Sequence, residues 1–309
     1  MTDRWITFRA GWWPAIALVL ALAGWVLVSV TVSGWLFGDL SVAEEGVWTI
    51  PSGVVQIAIA VVVLRYERVG YRELGSSPQL VRPALVATGV VVLVANVAAA
   101  GLGLAAGTGV SFGLMAYYLA PPIDYFVPGV AITAVGMYLF TGPVEELAFR
   151  GYLQNKVVSQ VIMGSATVRT TIGILTAALS FALLHIPAYL FTRGVPTGAL
   201  IGTLVLLTAT GVIYGVIYAA TRNLYLVMSL HAIGNLWPLV VDPGPGVWPK
   251  YGVLLVLSVL LIVSAVGNRA DAPETGPGGD ELIGDATTER CGYSHRRGPS
   301  VLCVHLLSG

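Results

Sequence analysis

The chain has 309 residues, 56% of them hydrophobic and only 10% charged, with a mean hydropathy of +0.82. Soluble domains carry roughly 25% charged residues, so this composition excludes a soluble globular protein and points to an all-α, polytopic membrane protein. Sixteen basic and sixteen acidic residues balance to zero net charge, which argues against a nucleic-acid partner and against a purely electrostatic hold on a membrane surface.

A helix crossing the hydrocarbon core needs about 20 mostly apolar residues. The first uncharged run, 11–37, is too long for the apolar centre of a signal peptide and shows no small-residue cleavage site, so it reads as a retained helix. Runs at 47–64 and 83–107 follow. Residues 108–124 are uncharged up to Asp124 but broken by Gly109, Ser111, Gly113 and the Pro121-Pro122 pair, so an interfacial or re-entrant loop is expected there. Five further runs lie at 125–144, 170–192, 198–221, 223–241 and 251–268, giving about eight transmembrane helices. The turn Thr221-Arg222-Asn223 is short enough to make the sixth and seventh helices an antiparallel hairpin. Residues 269–309 are rich in Gly, Pro, Thr and charge and read as a disordered tail. Its Cys291, His295, Cys303 and His305 lack the spacing of a zinc site.

The basic residues set an orientation. With the N-terminus in the cytoplasm, Arg4, Arg9, Arg65, Arg68, Arg72, Arg82, Lys156, Arg169, Arg222 and Arg269 fall inside, against Arg193 and Lys250 outside. This bias places both termini in the cytoplasm of a multi-pass cell-membrane protein.

Ionisable side chains within spans are costly and default to a functional role. Here they are Glu145, Glu146 and Arg150 on the fourth helix, His185 on the fifth, and His231 on the seventh, with Asn235 one turn further on. Residues four apart share a helix face, so Glu146 pairs with Arg150 as a structural ion pair. Glu145 sits about 100° around the helix with Phe149 as its neighbour, and is the better general base. If the fourth helix runs on to about Lys156, Glu145, His185 and His231 lie ~16, ~20 and ~14 Å from the cytoplasmic ends of their helices. Three helices bring their ionisable groups to one level.

Glu145-Glu146-x-x-x-Arg150, Phe181-x-x-x-His185 and His231-x-x-x-Asn235 stand in order, and in this the sequence resembles the CPBP family of intramembrane proteases. That family includes CAAX prenyl endopeptidases and bacteriocin-processing or self-immunity (Abi-type) proteins. The resemblance implies three regions: 1–124 with helices one to three and a loop, 125–268 as the catalytic membrane domain (core about 130–240) with the final helix, and the tail 269–309. It also implies hydrolysis of a peptide bond in a membrane-associated peptide or lipidated-protein substrate, and two mechanisms fit the residues. In one, Glu145 and His185 polarise a water while His231 and Asn235 hold the oxyanion. In the other, His185, His231 and Glu145 hold a Zn²⁺ ion that acidifies its bound water. The absence of an HExxH helix favours the first. A non-enzymatic reading, as a proton-coupled transporter or an immunity protein with a vestigial site, uses the same Glu–His cluster as a relay or not at all. The oligomeric state is not written in the sequence.

Overall fold

The structure is a computed structural model that describes residues 6–38, 41–117, 123–124, 128–242, 252 and 255–264. The tail 269–309 lies outside the described residues. The helices follow the apolar runs: α1 (Trp13–Phe37), α2 (Val42–Glu67), α3 (Val81–Ala105), α4 (128–160), α5 (Ala166–Leu184), α6 (Thr197–Thr221), α7 (Leu224–Asn235) and α8 (Leu255–Ser264). Five spans, Trp13–Phe37, Ala43–Glu67, Pro78–Ala105, Ala166–Thr192 and Thr197–Thr221, are long and apolar enough to cross a membrane. Their outward faces carry large apolar side chains such as Leu20, Leu27, Leu85, Leu93, Ile201 and Leu206. Helices whose backbone groups are satisfied internally can present such faces to lipid. The chain is an all-α, multi-pass membrane protein.

Local chemistry explains where the helices begin and end. Ser41 and Glu44 form a capping box at the start of α2, Ser41 N–H donating to the Glu44 carboxylate (2.9 Å) and Glu44 N–H to Ser41 Oγ (3.4 Å). Arg222 closes α6 in the left-handed region (φ +50°), and Asn223 then caps α7 by accepting from Leu226 N–H at 3.1 Å. This two-residue link makes the tight α6–α7 hairpin read from the sequence.

Two segments differ from the expected layout. The seventh helix stops at Asn235 rather than running to 241, because Pro238 has no N–H and forces Trp237 toward extended backbone. Residues Trp237–Asp242 instead form β3, antiparallel to β1 (Ser111–Tyr117), which also pairs with β2 (Ile123–Asp124). The described part of the 108–124 loop is therefore a small sheet. Asn96 of α3 holds β3 by accepting from Val240 N–H at 2.7 Å.

Helix α4 is built unevenly. Its α-helical pieces alternate with wider π-helical turns at Met137–Thr141 and Leu147–Gln154, each of which admits extra backbone and re-aims the side chains beyond it. Small residues set the close packing of membrane helices. A Cβ on Gly142 would lie 3.1 Å from both Ala232 and the Met228 carbonyl, so α4 rests directly on α7. A Cβ on Gly211 would lie 3.0 Å from Ala178, which fixes α6 against α5. Lys156, one turn from the end of α4, is fully buried in an ion pair with Glu67, the last residue of α2 (2.5 Å).

Candidate active site

Helix α4 supplies Glu145, Glu146 and Arg150, α5 supplies Phe181 and His185, and α7 supplies His231 and Asn235. The two adjacent glutamates part company at once. Glu146 is fully buried, while the Glu145 side chain keeps 15% of its surface and lines a cavity. Arg150, also fully buried, donates from Nη1 to Glu146 Oε1 at 2.7 Å. Its Nη2 donates to the Gly211 carbonyl at 3.1 Å, and its guanidinium lies over the rings of Phe181 (4.9 Å) and Tyr214 (5.6 Å). For a fully buried cation, these contacts take the place of hydration.

Glu146 has a second partner that the i, i+4 argument does not reach. His231 Nδ1 donates to the same Glu146 Oε1 at 2.6 Å. The buried carboxylate thus fixes the orientation of an imidazole as well as neutralising an arginine. His185 is fixed differently: its Nδ1 lies 2.7 Å from the Phe181 carbonyl, which can only accept, so Nδ1 carries a proton. Both rings therefore turn Nε2 toward Glu145, His185 Nε2 at 3.7 Å from Oε1 and His231 Nε2 at 3.4 Å from Oε2. The 3.7 Å separation is too long for a direct hydrogen bond and suits a bridging water.

Phe181 is more than a marker in the chain. Its ring sits 4.5 Å from His185 and 5.7 Å from His231 between centroids, with Arg150 over its face. It separates the buried cation from the two imidazoles while touching all three. Tyr214 of α6 stacks on His231 at 5.3 Å from the other side. No motif points to it, because a lone tyrosine in an apolar helix carries no spacing signal. A Cβ on Gly234 would meet the Tyr214 hydroxyl at 2.7 Å, so the glycine leaves room for that ring.

The cavity has a volume of about 1040 Å³. Glu145, His185, His231 and Asn235 line it, so all four residues expected to do chemistry meet at one wall. The opposite wall comes from α1 and α2 and is polar in places. Trp25 Nε1 donates to Ser52 Oγ (3.0 Å), Trp48 Nε1 to Ser29 Oγ (2.8 Å), and the two serine hydroxyls lie 3.3 Å apart. In chain order the lining runs from Leu22 to Ser33 on α1, Glu45 to Gln56 on α2, Phe181 to Arg193 at the end of α5 and just beyond it, and Thr203 to Tyr214 on α6. The cavity therefore extends from Glu145 toward the end of the bundle where α1 passes to α2 and α5 to α6.

Catalytic zinc takes three protein donors at about 2.0–2.2 Å from one point. Among the described residues no group of three His, Cys, Asp or Glu is arranged to hold a metal ion. The two imidazoles address different oxygens of Glu145 and flank the carboxylate, so no step below runs through a metal.

Residues 127–237 match the family model described as type II CAAX prenyl endopeptidase Rce1-like. Every residue of the three motifs lies inside this segment, while α1, α2 and α3 lie before it. No curated protein and no solved structure matches the chain.

Proposed function

With residues 127–237 forming an Rce1-like domain of the CPBP intramembrane protease family, we propose that the protein is an endopeptidase that cuts a CAAX-type or bacteriocin-like membrane-associated peptide with a water activated by Glu145 and His185. The observation that carries this reading is a partly exposed carboxylate held between two imidazoles on a cavity wall, each imidazole locked from behind by its own acceptor.

The chemistry follows from the donors and acceptors. A water between Glu145 Oε1 and His185 Nε2 donates to both, and Glu145 takes one proton as the oxygen attacks the substrate carbonyl. The tetrahedral oxyanion is met by His231, donating from Nε2 while Nδ1–H stays on Glu146, and by the Asn235 carboxamide. Glu145 then returns the proton to the leaving nitrogen, and the bond breaks. Arg150 takes no part in the chemistry and holds Glu146 in place. The basic-residue bias supports an orientation with cytoplasmic termini, which puts the α1–α2 and α5–α6 end of the cavity at the outer face.

Purified protein incubated with a fluorogenic CAAX-type peptide tests the reading. Glu145→Gln keeps the shape and removes the base, and is expected to abolish cleavage with no change in Tm. Wild-type turnover is expected to survive exhaustive chelation. Substantial turnover in Glu145→Gln overturns the role of this carboxylate, and loss of activity restored by Zn²⁺ overturns the metal-free step.

A further inference from the structure

The cavity holds a second charged feature that the hydrolytic steps do not use. Among the described residues that line it, Arg193 is the one arginine or lysine. Its Nη2 donates to Glu45 Oε1 at 2.6 Å, joining the end of the α5 region to the first turn of α2. Both side chains keep about a quarter of their surface, 25% and 22%, and both line the cavity.

Arg193 is in register with the reacting groups. His185, Tyr189 and Arg193 follow one another at four-residue intervals and all line the cavity. The helical path continues between them, with Tyr189 N–H donating to the His185 carbonyl (3.0 Å) and Arg193 N–H to the Ala188 carbonyl (2.9 Å). Eight residues of helix rise about 12 Å. An extended peptide advances about 3.3 Å per residue, so the same distance spans three to four substrate residues. The walls at this level include Leu184, Ala188, Leu206 and Leu207, which suit apolar side chains.

We propose that Arg193 binds a carboxylate of the peptide substrate, three or four residues from the bond cut at Glu145, in exchange for Glu45. A guanidinium offers a two-pronged fork to a carboxylate, and Arg193 already holds one carboxylate in the cavity through Nη2. The exchange replaces one carboxylate partner by another and strands no cation. The carboxylate comes either from the substrate's C-terminus or from an acidic side chain. The inference rests on the proteolytic reading for the position of the cut bond but not for binding itself.

Three peptides of one apolar sequence test it: one ending in a free acid three residues past the cut bond, one ending in a carboxamide, and one amidated with Asp as its last residue. Cleavage by the wild type is compared with Arg193→Gln, Arg193→Lys, Glu45→Gln and the double Arg193→Gln/Glu45→Gln. Binding of the same peptides to Glu145→Gln and to Glu145→Gln/Arg193→Gln protein gives a readout without turnover. The wild type is expected to prefer the free acid over the carboxamide by about tenfold in kcat/KM. That ratio falls to near one in Arg193→Gln and in the double variant, survives in part in Arg193→Lys, and rises in Glu45→Gln. The double variant removes both charges of the pair and decides the matter if the single one is misfolded. An Asp-amide peptide that matches the free acid assigns the subsite to carboxylates in general; one that matches the carboxamide assigns it to the chain terminus. Equal cleavage of all three by the wild type overturns the subsite and leaves proteolysis standing. Acid-selective binding without cleavage does the reverse, and no binding at all overturns the subsite.

Discussion

Replacing Glu146 by Gln removes one charge that two buried groups depend on. Arg150 then stays fully buried without its counter-charge, and His231 Nδ1 loses its carboxylate. Breaking a buried ion pair from one side typically costs about 3–5 kcal/mol. Three features of this site set the value near the lower end. Arg150 keeps its hydrogen bond to the Gly211 carbonyl and its two aromatic faces. Glu146 Oε2 and Arg150 Nε have no hydrogen-bond partner among the described residues, so the native pair is itself incompletely satisfied. A loss of about 3 kcal/mol follows, to be read as a lowered Tm and denaturation midpoint in detergent. The double variant Glu146→Gln/Arg150→Met leaves no uncompensated charge and is expected to recover most of that stability. It is not expected to recover cleavage, because His231 still lacks the carboxylate that holds Nδ1 and orients the ring. A Glu146→Gln protein as stable as the wild type refutes the energetic reasoning, and an active double variant refutes the link through His231.

Asn235→Ala is expected to lower kcat by roughly 10²–10³ with little change in KM, as for loss of one oxyanion donor; steady-state kinetics that show only a KM change refute that role. The orientation is checked with cysteines at Gly38, which closes α1, and Arg68, which closes α2, in a Cys291→Ser/Cys303→Ser background. An impermeant thiol reagent added to intact cells should label position 38 and not 68, and the opposite pattern inverts the topology. Gly142→Val is expected to push α4 off α7 at the Ala232 contact and to lower kcat at once with Tm. Unchanged turnover in that variant shows that this contact does not position Glu145.

The helices were readable because lipid imposes a length and a composition on each of them, and α1, α2, α3, α5 and α6 begin and end close to the uncharged runs. The Glu146–Arg150 pair was readable for a similar reason, since i, i+4 contacts are local. What escaped the sequence is non-local. The hydrogen bond from His231 to Glu146 joins residues 85 apart, and the β1–β3 pairing joins Ser111 to Asp242. Serines and tryptophans scattered in α1 and α2 look like ordinary membrane-helix residues until the two helices are laid side by side. The π-helical turns of α4 add a further difficulty, because nothing in Leu147–Gln154 announces that the helix widens there.

The split between the two cavity walls gives this protein separable means of change. The residues that would break a bond sit on α4, α5 and α7, whereas the hydroxyl and indole ladder facing them sits on α1 and α2, ahead of the matched segment. Substitutions at Ser29, Trp48, Ser52 or Gln56 can therefore alter which peptide fits while leaving the Glu145–His185–His231 geometry untouched. A chain shortened to 127–237 would keep all three motifs yet lose the part of the cavity lining that α1 and α2 supply.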